Sequence, residues 1–91
     1  MASLWVAELL ISDRVAQKIT RRHGISAAEV RDAVVCVRGL RWRWDTHPER
    51  GRRAVVSTTI RGRHCAVVLY PQLAAMRDTW TLGSVYFVSG N

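Results

Sequence analysis

Lysine, proline and cysteine are scarce in this chain of 91 residues. Lys18 is the single lysine, and there are two prolines and two cysteines. Two cysteines can form at most one disulfide, which excludes the small proteins that are held together mainly by disulfide bonds. Cys36 and Cys65 both lie in apolar runs, where a thiol usually packs as a small hydrophobe. We therefore expect a reduced protein.

The spacing of glycine and histidine excludes the common cofactor sites. The six glycines are scattered and form neither a P-loop nor a dinucleotide-binding motif. The three histidines and two cysteines lack the spacing of a zinc site. No apolar run approaches the roughly 20 residues of a membrane span, and Met1–Ile11 lacks the basic region of a signal peptide. These absences predict a cytoplasmic protein without a cofactor, a metal ion or a membrane contact.

Positive charge is what the chain has in excess. Fourteen basic residues against seven acidic ones give a net charge of +7 and a pI near 11.0. Almost all the basic residues are arginines, which a high-G+C genome can produce without functional pressure. Eight of them lie between Arg38 and Arg63, where the only acids are Asp45 and Glu49, so this region carries six of the seven net charges. Such a concentration favours a polyanionic partner.

Hydrophobic periodicity predicts two helices followed by four strands. Ser12 and Gly24 are typical residues for the start and end of the first helix, and the capping box Ser26–Glu29 begins a second helix that runs from Ala27 to about Val37. Alternating or β-branched patterns then predict four strands, at Leu40–Trp44, Arg53–Ile60, Cys65–Tyr70 and Trp80–Val88. The segment Leu4–Leu10 fits either a short strand or the approach to the first helix. Together these elements predict a single α+β domain over residues 1–91, with two N-terminal helices packed on a four-stranded antiparallel sheet.

Arginine with a few histidines and tyrosines can perform one kind of chemistry without a metal ion. This is cleavage of an RNA phosphodiester by its own 2′-hydroxyl. A guanidinium binds the charged phosphorane through two hydrogen bonds, and an imidazole or a phenol transfers the protons. The same residue types also serve surfaces that only bind RNA or DNA. Residue types alone do not separate these two interpretations.

Several segments resemble the BrnT-like branch of the RelE/ParE toxin superfamily. They are Ile11–Asp13, Arg22–Ser26 (Arg-His-Gly-Ile-Ser) and a basic hairpin followed by two strands. In that family a Lys-His-Gly-Val/Ile-Ser segment lies between two helices and precedes an antiparallel sheet. Its members are metal-independent endoribonuclease toxins that a cognate antitoxin neutralises. The resemblance implies RNA and an antitoxin as partners, in a homodimer or a toxin–antitoxin hetero-oligomer.

The resemblance also implies site residues. His23 and Gly24 match the His-Gly pair, Arg22 replaces the lysine, and Arg61-Gly62-Arg63 resembles an Arg-Gly-Arg hairpin of the family. Many members carry two arginines in or after the last strand, whereas this chain has Val85–Val88 there. A related, uncharacterised family ends in a strand that contains a tyrosine, and Tyr86 fits that pattern better.

We therefore predict a type II toxin-like, metal-independent endoribonuclease. The predicted catalytic residues are Arg61, Arg63 and Arg77, which stabilise the phosphorane, and His23 or Tyr86, which transfer protons. The residues predicted to bind the nucleic acid are Arg22, Arg41, Arg43, Arg52 and Arg53. The alternative is a non-catalytic nucleic-acid-binding or protein-interaction module on the same scaffold.

Overall fold

The structure, a computed structural model, describes residues 3–72 and 78–88. It contains two helices and a five-stranded sheet, so the predicted α+β class is confirmed. In chain order the elements are β1 (Glu8–Leu10), α1 (Asp13–His23), α2 (Ala27–Val34), β2 (Arg41–His47), β3 (Gly51–Ile60), β4 (Arg63–Pro71) and β5 (Thr79–Phe87). The strands lie in the order β1-β5-β4-β3-β2.

The predicted four-stranded antiparallel sheet needs one correction, because β1 adds a fifth strand. It pairs in parallel with β5, with Glu8 opposite Thr79 and Leu10 opposite Thr81, so the sheet is mixed. The other three strand pairs are antiparallel, as predicted. A strand of three residues is too short to show an alternating pattern, and its partner lies about 70 residues away in sequence. Tertiary pairing therefore decides the conformation of this segment.

Side-chain caps define the starts of both helices, as predicted. The Ser12 hydroxyl accepts a hydrogen bond from the Val15 N–H at 3.2 Å, and Gly24 ends α1 in the left-handed conformation. At the start of α2, the Ser26 hydroxyl accepts from the Glu29 N–H at 3.2 Å. The Glu29 carboxylate in turn accepts from the Ser26 N–H at 3.0 Å, which completes the capping box.

The second helix is shorter than predicted, because it ends at Val34 rather than near Val37. The next residue is extended, and Cys36 has a positive φ of 56°, which a helix cannot accommodate. The Cys36 N–H donates to the Val6 carbonyl at 2.8 Å. This contact with the N-terminal segment replaces the hydrogen bond that a further helical turn would make.

Both helices pack on the same face of the sheet. The main hydrophobic core contains Ile19, Ile25, Val30 and Val34 from the helical region and Ala54, Val56, Val67, Leu69, Leu82 and Val85 from the strands. The alternating strand residues point to the opposite face, which we call the outer sheet face; it carries a smaller buried cluster of Val55, Ala66 and Val68 with Tyr70 packed against it.

The tryptophans of β2 lie on the helix side, as the alternation predicts. Trp42 packs against the main core. Trp44 contacts the Trp80 ring at 6.1 Å between centroids, yet it remains 40% exposed because β2 is the outermost strand of the sheet. Alternation therefore predicts the face correctly, whereas position in the sheet sets the burial.

A β-bulge interrupts the pairing of β4 with β5. Val68 lies opposite Ser84 and Leu69 opposite Leu82, so Gly83 is the extra residue. A Cβ atom on Gly83 would clash with Cε2 of Tyr70. The Tyr70 ring thus occupies the space that any other residue at position 83 would need for its side chain.

Replacing Gly83 by Ala should destabilise the protein by about 1–3 kcal/mol, because the Tyr70 ring must move out of a packed position. Chemical denaturation measures this difference directly. Ser84→Ala is the matched control at the next residue, with an expected change within about 0.5 kcal/mol. A Gly83→Ala protein as stable as the wild type would contradict the close packing of the ring.

Candidate functional site

The arginines predicted to bind nucleic acid lie on three different surfaces. Arg43 pairs with Val55 across the strands and Arg53 contacts Tyr70, so both lie on the outer sheet face with Arg41. The guanidinium of Arg52 stacks on Trp44, 3.9 Å from a ring centroid, on the helix side. Arg22 lies on α1. The concentration of charge in the sequence therefore does not form one continuous binding surface.

An acid partly compensates the charge on the outer sheet face. The Asp45 carboxylate accepts hydrogen bonds from Arg53, with distances of 2.8 Å to Nε and 2.7 Å to an Nη atom. Hydrogen bonds to Tyr70 and Asp45 raise the pKa of Arg53, and the hydrogen bond from Arg53 lowers the pKa of Asp45. Arg43 lies 3.9 Å from the same carboxylate. Arg53 is therefore less available to a phosphate than the sequence suggests.

The basic hairpin is a tight turn, as predicted. Ile60 pairs with Arg63, and the two residues between them have positive φ values of 54° at Arg61 and 73° at Gly62. These angles are typical of the two-residue turn that matches the twist of antiparallel strands. The Nε of Arg61 donates to the Glu29 carboxylate at 2.6 Å. This ion pair directs Arg61 to the start of α2, away from Arg63.

The ion pair predicts a specific pH dependence of stability. Hydrogen bonds from Arg61 and from the Ser26 backbone lower the pKa of Glu29 from 4.5 to about 2. Since the folded state lowers this pKa, the stabilisation is present above about pH 4.5 and is lost as the pH falls towards 2. We expect the melting temperature of wild type to exceed that of Glu29→Gln at pH 6, with the difference disappearing near pH 2. Arg61→Gln should remove the larger part of this pH dependence, because the hydrogen bond from the Ser26 N–H to Glu29 remains. A difference in melting temperature that does not change with pH would contradict the assignment.

A cleft between α1 and β5 collects residues that can act on a phosphate. Its volume is about 320 Å³, and we call it the α1–β5 cleft. It is lined by Val15, Lys18, Ile19, Arg22 and His23 of α1 and by Ser84, Val85 and Tyr86 of β5. The apolar side chains belong to the floor, and the lining contains two cations, a histidine and a tyrosine but no acid. Such a lining suits an anionic ligand.

His23 and Tyr86 border the cleft from opposite sides of the sheet edge. The His23 ring packs edge-on against Phe87, with centroids 5.2 Å apart, on the helix side. Tyr86 pairs with Ala66 of the outer cluster, so its side chain leaves β5 on the outer sheet face, where it is 42% exposed. A proton acceptor and a proton donor are thus available on the two sides of one site.

Arg63 adds a further cation to the site through its contact with Phe87. The Arg63 guanidinium stacks on the Phe87 ring, 3.7 Å from its centroid, and His23 contacts the same ring. Three of the predicted catalytic residues therefore gather around the end of β5: His23, Arg63 and Tyr86. Arg61 is bound to Glu29 instead, and Arg77 lies outside the described residues.

The sequence interpretation missed Lys18 and Phe87 as members of the site. Lys18 and Arg22 are four residues apart on α1, so they share one face of the helix, and His23 follows directly. That spacing is a signal in the sequence that could have identified Lys18. Nothing local marks Phe87, because its contacts come from α1 and from the β3–β4 hairpin.

An exposed row of cations continues from the cleft along α1. It consists of Arg14, Lys18, Arg21 and Arg22, which with Gln17 line a shallow hollow of about 310 Å³. Among residues 3–72 and 78–88, none of these four forms an ion pair, whereas Arg43, Arg53 and Arg61 do. We call this row the α1 cationic face. Its charges are free to contact an anionic partner.

A larger groove lies between the N-terminal segment and α2. It has a volume of about 590 Å³, is lined by residues 7–12 with Arg31, Val35 and Thr81, and is mostly apolar. None of the predicted site residues lines it. Of these three cavities, the α1–β5 cleft is the one lined by predicted catalytic residues, His23 and Tyr86.

Comparison of the chain with protein-family models, curated proteins and solved structures finds no match. In the described part of the chain, no helix is long and apolar enough to cross a membrane. The same residues contain no group of three His, Cys, Asp or Glu side chains arranged to hold a metal ion. Cys36 and Cys65 are both free thiols, and burial raises the pKa of Cys65.

Proposed function

We propose that this protein is a metal-independent endoribonuclease of the type II toxin kind, acting at the α1–β5 cleft. One observation carries the proposal: the cleft joins His23 and Tyr86 with Lys18 and Arg22 and has no acid in its lining. A phosphodiester is an anion whose charge increases in the phosphorane transition state. A site whose charged side chains are cations, with no acid beside them, stabilises that increase.

The reaction is a transesterification within the RNA. The 2′-oxygen attacks phosphorus while the bond to the 5′-oxygen breaks, leaving a 2′,3′-cyclic phosphate and a 5′-hydroxyl. His23 accepts the proton of the 2′-hydroxyl, and Tyr86 donates a proton to the departing 5′-oxygen. Attack and departure occur on opposite sides of phosphorus, which agrees with the approach of these two residues from opposite sides of the sheet edge.

The cations hold the phosphate. Arg22 can bind two non-bridging oxygens with its planar guanidinium, and Lys18 adds a compact charge one helical turn away. Arg63, held on Phe87, supplies a third charge beside His23. The remaining cations of α1, Arg14 and Arg21, lie where they can contact neighbouring phosphates of the strand.

The partners follow from the same proposal. RNA is the substrate, and the resemblance of the Arg22–Ser26 segment to BrnT-like toxins supports a cognate antitoxin in the cytoplasm. The complex is either a toxin–antitoxin hetero-oligomer or contains a homodimer of this chain.

The direct test is incubation of purified protein with single-stranded RNA in EDTA. We expect fragments that end in 2′,3′-cyclic phosphate, and growth arrest when the protein is expressed. The control is the triple variant Arg22→Ala/His23→Gln/Tyr86→Phe, purified identically to reveal a contaminating nuclease. Cleavage at the same rate by the triple variant, or no cleavage by the wild type, would overturn the proposal.

A second candidate is a nucleic-acid-binding module without catalysis. The α1 cationic face favours it, because four exposed cations without ion pairs among the described residues bind a phosphate backbone without any chemistry. This candidate predicts RNA binding that weakens steeply with salt while the RNA stays intact. The cleavage assay above separates the two functions.

A further inference from the structure

The outer edge of β5 is only partly paired. β1 covers β5 at Thr79, Trp80 and Thr81, whereas β5 continues to Phe87. The bulge at Gly83 follows directly after this pairing, and bulges commonly mark the point where a pairing ends. From the bulge onwards, β5 has no strand on its outer side within the described residues. The unpaired part borders the α1–β5 cleft.

The register shows which backbone groups face this edge. The Val88 N–H donates to the His64 carbonyl at 3.0 Å, so these residues form a hydrogen-bonded pair. Hydrogen-bonded and non-bonded pairs alternate along an antiparallel ladder, so Tyr86 and Ser84 also bond to β4. Val85 and Phe87 therefore direct their N–H and C=O groups outwards. Outside the strand ladders, no backbone hydrogen bond between described residues uses these four groups, and the alternation keeps them out of the ladder with β4.

The cleft beside this edge has the chemistry of a site for an acidic peptide. Along an edge strand, unpaired N–H and C=O groups recur every two residues. An extended peptide can form hydrogen bonds with them and so become an additional strand of the sheet. Lys18 and Arg22 flank the edge, and the partly exposed Val15 lines the cleft beside them, above the buried Ile19 and Val85. A second copy of this chain is a poorer occupant, because each chain carries a net charge of +7 and would bring further cations to the same place.

We infer that the edge of β5 at Val85–Phe87 binds an extended acidic peptide as an additional strand. Backbone hydrogen bonds to Val85 and Phe87 give the affinity, and ion pairs with Lys18 and Arg22 select acidic side chains. The bound strand covers His23 and Tyr86. The inference that the bound peptide inhibits RNA cleavage rests on the proposed function. The inference that the peptide docks on β5 does not.

The probe for the test is a synthetic peptide of about ten residues, roughly 33 Å when extended, that alternates glutamate and valine. Fluorescence anisotropy measures its affinity for the full chain, and amide hydrogen exchange reports which N–H groups become protected. One matched control carries N-methyl groups on alternate backbone amides and keeps every side chain. The other replaces each glutamate by lysine.

We expect the acidic peptide to protect the Val85 and Phe87 amides, and each control peptide to bind at least about tenfold more weakly, equivalent to about 1.4 kcal/mol. Lys18→Glu/Arg22→Glu should weaken binding of the acidic peptide to a similar extent. Equal binding of the N-methylated peptide, no binding, or binding without protection of these two amides overturns the inference. RNA cleavage without peptide binding refutes the docking alone, and peptide binding without cleavage refutes the nuclease alone.

Discussion

The variant His23→Gln should cleave RNA about 10²–10⁴-fold more slowly than the wild type, while its affinity for RNA changes little. The amide of glutamine keeps hydrogen-bonding groups near the phosphate but cannot accept the proton of the 2′-hydroxyl. The loss therefore falls on the chemical step, which single-turnover cleavage with protein in excess over RNA measures directly. Binding is measured separately with an RNA that carries a 2′-deoxy substitution at the cleaved position.

The matched control is His64→Gln. His64 is an exposed histidine on β4 and does not line the cleft. The His64→Gln variant should therefore cleave RNA at the wild-type rate. A thermal melt of each variant shows whether the loss of the His23 contact with Phe87 affects folding. Equal losses for the two variants, or an unchanged rate for His23→Gln, would remove His23 from the mechanism.

The double reversal Lys18→Glu/Arg22→Glu should abolish RNA binding at physiological salt. Two phosphate contacts are lost, and two acids then repel the strand at the same place. For a single strand, each lost contact lowers the slope of log K against log salt by about 0.7, so the slope should fall by about 1.4. A salt titration of RNA affinity by fluorescence anisotropy gives this slope.

The matched control for this reversal is Arg41→Glu/Arg43→Glu on the outer sheet face. It changes the net charge of the chain by the same amount but alters a surface on the opposite side of the sheet. We expect it to weaken RNA binding far less. Equal losses would mean that net charge dominates, and a larger loss in the control would place the RNA on the outer sheet face.

The helix ends show how much of the fold local sequence can predict. Ser12, Gly24 and the Ser26–Glu29 capping box act through hydrogen bonds between residues within four positions of each other. The hairpin at Gly62 is local in the same sense, since its two positive φ values close a two-residue turn. Interactions of such short range leave their pattern in the sequence, so these elements agree with the prediction.

Arg61 shows why the candidate site was harder to predict. The sequence places it with Arg63 in one basic hairpin, but its guanidinium binds Glu29, which is 32 residues away. Arg63 instead stacks on Phe87, beside His23. Neighbours in a strand or turn point in different directions, so proximity in sequence does not predict which side chains act together.

The sequence by itself determined the net charge, both helix starts, the turn of the hairpin and the antiparallel order of β2 to β5, because these depend on composition, caps and local periodicity. Only the tertiary structure decided that β1 joins the sheet beside β5 and that the arginines divide among three surfaces. It also decided that His23 and Tyr86 line one cleft at the edge of β5. Contacts between distant segments depend on which faces the core buries together, and no short stretch of sequence contains that information.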